Sequence, residues 1–372
     1  MEDDVEMRDE IVNNFSSDEE GNNEGNNENM LDYNTGEFEF ENIYNKLLQM
    51  HILKKGFKCE KCGKEMKIVN DNSTLDKKIF RCRGNNPSHD CKINIRKDSV
   101  YEGFQIPLFI LYYLTFECFA FNKSVSKSLL EINEICLKIN KPSTTTNAIT
   151  KLFQHLREII RCNYHEEWKH NPLGTEPSIN GVPRVEIDES EIIGNQNKIL
   201  WMFGMIDRAD KEARVFCVMN NRTKENLLPI IKDNIHTNYE PENEANEEDE
   251  ENIINEETLK TRIYSDCYSS YQQRDFKEMG YILHRVNHSV WFGQGLFHTN
   301  TIEGLWSQIK RLSNNFSGLT LNMIENMENR GIDVKNYLDG WICYALFLRN
   351  VEKRKLSRLN TQNYLIDILK EY

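Results

Sequence analysis

The pattern of apolar and polar positions changes texture along the chain. From Pro107 to about Cys162 it is helical: PLFILYYLTFECFAF is apolar nearly throughout and predicts a buried helix, and SVSKSLLEINEICLKI carries the helical period. STTTNAITKLFQHLREIIRCNY follows, opening on a Ser/Thr cluster suited to capping. Three helices with short connections suit a helix-turn-helix, with the segment from Thr144 onward, including Lys151 and Arg157, as recognition helix. A helical connector without DNA contact is the other reading of the same pattern. After Pro183 the texture turns to strand. RVEIDESEI, ILWMFGMIDR and ARVFCVMN are short apolar, β-branched or aromatic runs bounded by Gly, Asn or charge. Helical TKENLLPIIKDNI, strand TRIYSDCYSSY, a helix from Gln272 to Met279, strand YILHRV and an amphipathic helix from Asn300 to Leu312 complete the order βββαβαβα. That order predicts an α/β domain over 183–350 with the ribonuclease-H-like arrangement, in which the first and fourth strands lie side by side.

Two segments break both patterns. The formal charge of the 372-residue chain is -13, which argues against a nucleic-acid partner until the charge is located. Met1 to Glu41 holds 15 acidic residues and one basic one, and Glu240 to Glu257 holds 10 acidic and no basic residues. Outside them 34 acidic residues face 45 basic ones, so the body carries about +11, the sign expected for contact with phosphates. Both segments are too poor in apolar residues to offset the entropy of ordering, which predicts a disordered tail over 1–43 and a disordered insert over 239–257. No stretch is apolar enough to span a membrane and the N-terminus does not read as a secretory signal, so a soluble, intracellular protein is expected.

Ten cysteines in such a chain point to metal rather than disulfides. Cys59 and Cys62 form a C-x2-C knuckle before Gly63, and Cys82 and Cys91 supply a second pair, which together read as a zinc ribbon within 44–103. The second spacing is loose, and His89 is an alternative fourth ligand. The remaining cysteines sit singly among apolar neighbours and read as small buried hydrophobes.

The strand region carries the candidate chemistry. Two-metal phosphoryl transfer needs carboxylates converging on ions about 3.5–4 Å apart, and hard oxygen ligands select Mg2+ or Mn2+. Asp188 closes the apolar phrase VEID on the first strand, and Asp266 follows the alternation of RIYSD on the fourth. Glu303 shares its helix face with Trp306 and Lys310, so one face presents an acid, an aromatic anchor and a cation able to meet phosphate. Taken singly, each acid would be read as a turn, cap or solvated residue; their order and context make the site.

VEIDES, RIYSDCYSSY, RVNHSVWF, HTNTIEGLWSQIKR and YLDGWICYALFLRN resemble the transposases of the Merlin superfamily and related bacterial insertion-sequence transposases, over roughly Phe57 to Asn350. The resemblance implies a zinc ribbon, a helical DNA-binding unit over 104–165, and a catalytic DDE triad on Asp188, Asp266 and Glu303, accompanied by Lys310. Some bacterial members carry Asn as the final ligand, which keeps Asn300 beside Glu303. His288 and His298 match the NHS and HTN phrases. For His288 a core histidine and a role beside the leaving phosphate are both open, whereas His298 leans to function. The family implies cut-and-paste DNA transposition on double-stranded DNA with terminal inverted repeats, by a dimer or larger assembly. A domesticated DNA-binding protein without catalysis is the alternative. The basic stretch from Arg349 to Arg358, at the start of a C-terminal tail over 351–372, reads either as a phosphate-binding or nuclear-entry patch or as a solvated helix face. Low-complexity acidic, Asn-rich segments suggest a eukaryotic, nuclear protein.

Overall fold

The computed structural model describes residues 40–85, 88–175, 182–195, 198–219, 221–237, 260–266, 271–286, 298–313, 316 and 319–372. The acidic insert, nearly all of the acidic tail and His288 lie outside the described residues. Helix α1 (Phe40–Gln49) begins inside the expected tail and buries Ile43, Tyr44 and Leu47, so the last residues of that segment are helical.

Three strands follow, β1 (Lys67–Asn70), β2 (Lys78–Asn85) and β3 (Ser88–Asn94), in an antiparallel sheet ordered β1-β2-β3. The long apolar run becomes α2 (Leu108–Tyr113), continued by one π turn over Leu114–Cys118 and a 3-10 turn over Phe119–Phe121. Asn122, in the left-handed region at φ 53°, ends it. Helix α3 (Val125–Lys138) is capped by Ser124, whose side chain accepts from the Lys127 N–H, and α4 (Thr146–His170) by Thr145, which accepts from Ala148 N–H.

The mixed sheet comprises β4 (Arg184–Gly194), β5 (Ile199–Asp207), β6 (Ala213–Met219), β7 (Arg262–Ser265) and β8 (Ile282–Arg285), ordered β6-β5-β4-β7-β8. β4, β5 and β6 pair antiparallel, while β7 runs parallel to β4 and β8 parallel to β7. A parallel neighbour needs a crossover, and α5 (Lys224–Asn234) and α6 (Gln273–Glu278) lie in the two connections. Alternation splits the sheet into two faces. Val185, Ile187, Phe203 and Met205 pack with Leu227 and Ile231 of α5 and Phe276 of α6. Leu200, Met202, Val215 and Cys217 turn to the other face, where α7 (Asn300–Leu312) and α9 (Val334–Lys353) cover them; α8 (Leu321–Asn329) joins these two helices.

A single core on that face runs from Cys59 and Cys82 through α2, α3 and α4 to α7 and α9, and ends on Leu365, Ile368 and Leu369 of α10 (Arg358–Leu369). It changes two expectations. Helix α4 packs along α9: Arg157 is buried, its guanidinium 3.8 Å from the Trp341 ring centroid, so it is not offered to DNA as a recognition-helix residue would be. Arg349, expected in the basic patch, is also buried, donating to Gln308 Oε1 and to the Lys211 carbonyl. Arg349 lies on α9 where α7 and the turn between β5 and β6 both meet it, and each supplies an acceptor. Among the described residues, no helix is long and apolar enough to cross a membrane.

Candidate active site and metal centre

Parallel pairing of β4 with β7 matches Arg184 to Arg262, Val185 to Ile263 and Glu186 to Tyr264. The pairing ends there, and Asp266 follows two residues on, one past the end of β7, as Asp188 follows Glu186 on β4. On the other side, antiparallel β5 sets Gly204 directly opposite Asp188. The missing side chain makes room for α7: a Cβ on Gly204 would lie 2.4 Å from Cη2 of Trp306. The indole rests on that gap and its Nε1–H donates to Asp188 Oδ2 at 2.8 Å. Burial pushes the Asp188 carboxyl up to about 6; the Trp306 bond and a backbone N–H oppose the rise, and the charges of Asp266 and Glu303 add to it. The charges of a residue just past β7 and of one in the first turn of α7 are therefore both felt at the Asp188 carboxyl.

A fourth acid adjoins them. Burial, then the charges of Asp188 and Asp266, push Glu189 up to about 8, against the attraction of Arg222. Its Oε1 accepts from the Tyr271 hydroxyl, and Arg222 Nη1 lies 3.7 Å from Oε2. Glu189 and Tyr271 escaped the sequence reading, because an acid beside a candidate ligand looks like a strand-end polar residue.

Helix α7 is seated by Glu186, on the same face of β4 and two residues before Asp188. This fully buried carboxylate accepts from the Ile302 N–H at 2.9 Å and from Arg208 Nε at 2.7 Å. It satisfies one of the open amides at the helix start and favours the positive end of the dipole. His298 Nδ1 lies 3.4 Å from Glu186 Oε1, and burial, with Arg208 beside it, holds the imidazole pKa below the usual value. His298 thus stands with the helix-seating pair. Asn300 is the exposed first residue of α7, and its N–H lies 3.4 Å from His298 Nδ1. Lys310 is half-buried two turns beyond Glu303, about 10 Å along the axis.

The cysteines form a second centre. The knuckle is closed by Cys59 N–H donating to the Lys64 carbonyl and Gly63 N–H to the Cys59 carbonyl, with Gly63 at φ 70° supplying the left-handed turn. Ligand atoms of Cys59, Cys62, Cys82 and His89 all lie within 4.8 Å of one another. Cys62 Sγ is 3.6 Å from Cys82 Sγ, which is 3.4 Å from His89 Nε2. A tetrahedral ion with Zn–S near 2.3 Å requires edges of about 3.7 Å, so this Cys3His cluster can hold a structural zinc. His89 pairs across the hairpin with Gly84, whose missing Cβ lets the ring lie flat over β2. Cys91 pairs with Cys82 across the same hairpin and hydrogen-bonds the Cys59 thiol. The geometry thus puts His89 in the mutually contacting four and Cys91 beside it. Burial pushes the Cys59 thiol up, but backbone N–H groups of Lys61 and Cys62 and the Cys91 and Cys62 thiols outweigh it and hold it at about 6.

No protein-family model matches the chain, and no curated protein matches it. Among solved structures there is a distant likeness to a chain of the simian T-cell lymphotropic virus intasome, determined in complex with the PP2A regulatory subunit B56 gamma. Identity is 13% and the TM-score 0.23, over 59% of this chain and 64% of that one.

Proposed function

We propose that the chain is a metal-dependent DNA transposase, cleaving phosphodiesters and joining the freed 3'-hydroxyl to target DNA. In this reading 183–350 is a ribonuclease-H-like DDE domain, preceded by a zinc ribbon over 44–103 and a helical unit over 104–165. The observation that carries it is that the charges of Asp266, just past β7, and of Glu303, in the first turn of α7, both act on the Asp188 carboxyl of the neighbouring strand β4. The strand order β6-β5-β4-β7-β8 supports the same reading.

The donor set fits Mg2+ or Mn2+: carboxylate oxygens are hard ligands, and like charges that raise one another's cost favour a cation. Asp188 and Asp266 would hold the ions from the sheet and Glu303 from α7. Bound there, the ions supply Lewis acidity to the attacking and leaving oxygens. Trp306 fixes the Asp188 rotamer by bonding Oδ2, and Glu186 with Arg208 fixes the start of α7 and hence Glu303. Lys310 would meet backbone phosphate, and the basic body would draw double-stranded DNA to an oligomer working in the nucleus.

Asp188→Asn and Glu303→Gln are each expected to lower Mg2+-dependent cleavage and joining of labelled terminal-repeat DNA at least 100-fold while leaving the melting temperature within a few degrees. Because Asp188 is protonated below about 6, Mg2+ should raise the native melting temperature at pH 7.5 and much less at pH 5. Undiminished joining by both variants would sink the assignment. Repeat-specific binding without cleavage by the native chain would favour the domesticated DNA-binding reading instead.

A further inference from the structure

At the opposite end of the strands that carry Asp188 and Asp266, the same face of the sheet carries a row of arginines. Arg184 on β4 pairs in register with Arg262 on β7, so their side chains leave the sheet side by side. Arg208, just past β5, donates its N–H to the Arg184 carbonyl and so stands on Arg184's other side. One step along the strands, Tyr264 pairs with His284 of β8; these rings stack at 4.9 Å, and the Arg208 guanidinium lies 3.8 Å from the Tyr264 ring centroid.

These cations are taken out of water. Arg184 is 2% exposed, and the Arg208 side chain 8%. Like charges opposite one another on adjacent strands repel, and a buried donor without an acceptor is costly. Yet Arg184 Nε and Arg262 Nε are both buried with no hydrogen-bond partner, and among the described residues neither side chain has a carboxylate within ion-pair distance. The acid that touches the row is Glu186, already engaged by Arg208 and by the Ile302 N–H. Helix α7 begins over Glu186 and runs toward β5, where Trp306 lies on Gly204, away from Arg262 and His284. Burial and then Arg262, Arg208 and Arg184 hold the His284 pKa below its usual value, so the positive charge of the row is felt at His284.

We propose that Arg184, Arg208 and Arg262 form a phosphate-binding site, separate from the carboxylate cluster and completed by His284. Guanidinium groups pair with oxyanions through two or more N–H donors each. Donors arriving from three strands suit a tetrahedral phosphate, whose oxygens point in several directions, better than a planar carboxylate. Among the described residues, half-buried Arg262 and His284 form the open side of the site. Arg184 precedes Asp188 by four residues, about 13 Å along the strand, which is the rise of about four base pairs. A DNA backbone phosphate four nucleotides from the reacting one is therefore the matching source. Only that choice of source rests on the proposed transposase activity; the site itself does not.

The test uses the full chain with inorganic phosphate, by equilibrium dialysis of labelled phosphate and by melting in phosphate against chloride at equal ionic strength. The native protein should bind phosphate saturably and melt at least about 2 °C higher in it. Arg262→Gln should weaken binding at least tenfold, and Arg262→Lys less. Asp188→Asn should bind like the native chain, which separates this site from the failure of the carboxylate assignment. A short DNA duplex that competes with phosphate identifies the backbone as the source; phosphate binding that the duplex does not displace identifies a free phosphate ligand. Absence of saturable binding to the native chain, or binding unchanged in both Arg184→Gln and Arg262→Gln, overturns the inference.

Discussion

Gly204 and Trp306 are one device made of two residues. The glycine removes the only side chain that could stand opposite Asp188 on β5, and the indole fills the space and presents a donor to Oδ2. Trp306→Phe keeps most of the packing and loses the donor. A hydrogen bond to a charged group contributes roughly 1.5–3 kcal/mol, so a loss of that order in urea unfolding above pH 7 is expected, shrinking below about pH 6 as the carboxyl takes its proton. An equal loss at both pH values would mean that the tryptophan acts through packing alone. At this scale the sequence reading was half right. Trp306 is the core anchor that its spacing suggests, but its bond to Asp188 depends on a glycine one hundred residues away, and a glycine inside ILWMFGMID signals only a close approach of something.

At the scale of elements, α7 is the part on which the site depends most. Its apolar stripe of Ile302, Leu305, Ile309 and Leu312 sets which face lies on the sheet, and this stripe is legible in the sequence. What sets its position along its own axis is Glu186, through the Ile302 amide and Arg208. Removing one partner of a buried pair leaves an uncompensated charge and costs about 3–5 kcal/mol. Glu186→Ala is therefore expected to destabilise by that order and to speed hydrogen exchange selectively in the first turn of α7, where Glu303 lies. Exchange that rises evenly over α7 and α9 would show that Glu186 supports the sheet in general. Helix α4 gives the contrary lesson. Its capping and period are plain in the sequence, yet Arg157 reads as a DNA contact only until α9 is packed against it, because a cation on a helix does not reveal whether a tryptophan faces it.

For the molecule as a whole, the continuity of the core matters more than the segment boundaries. Cys59 and Cys82 are at once members of the Cys3His cluster and of the core that reaches α4, α9 and α10. A metal bound only by the folded state stabilises whatever folds with it. If zinc fills this cluster, chelating it should therefore lower a single calorimetric transition of the whole described body rather than remove a small early one, and His89→Gln should lower metal affinity more than Cys91→Ser. A separate low-temperature transition on chelation would mark the ribbon as an independent domain, and the reverse order of the two variants would give the fourth position to Cys91.

The strands and helices of the sheet region are legible in the amino-acid pattern alone, because alternation and the helical period follow from backbone geometry, and that pattern also singles out acids and thiols whose chemistry needs company. It also located the basic body behind the acidic average. The company itself comes from packing and strand pairing. Parallel pairing of β4 with β7 set the charge of Asp266 against Asp188, the cross-strand glycine Gly84 made room for His89 beside the cysteines, and Arg184 and Arg262 became neighbours in register. The physical reason is the same throughout: a side chain's charge and its bonding partners depend on residues that lie far off along the chain, and one residue's slip in register would turn every one of these side chains to the other face.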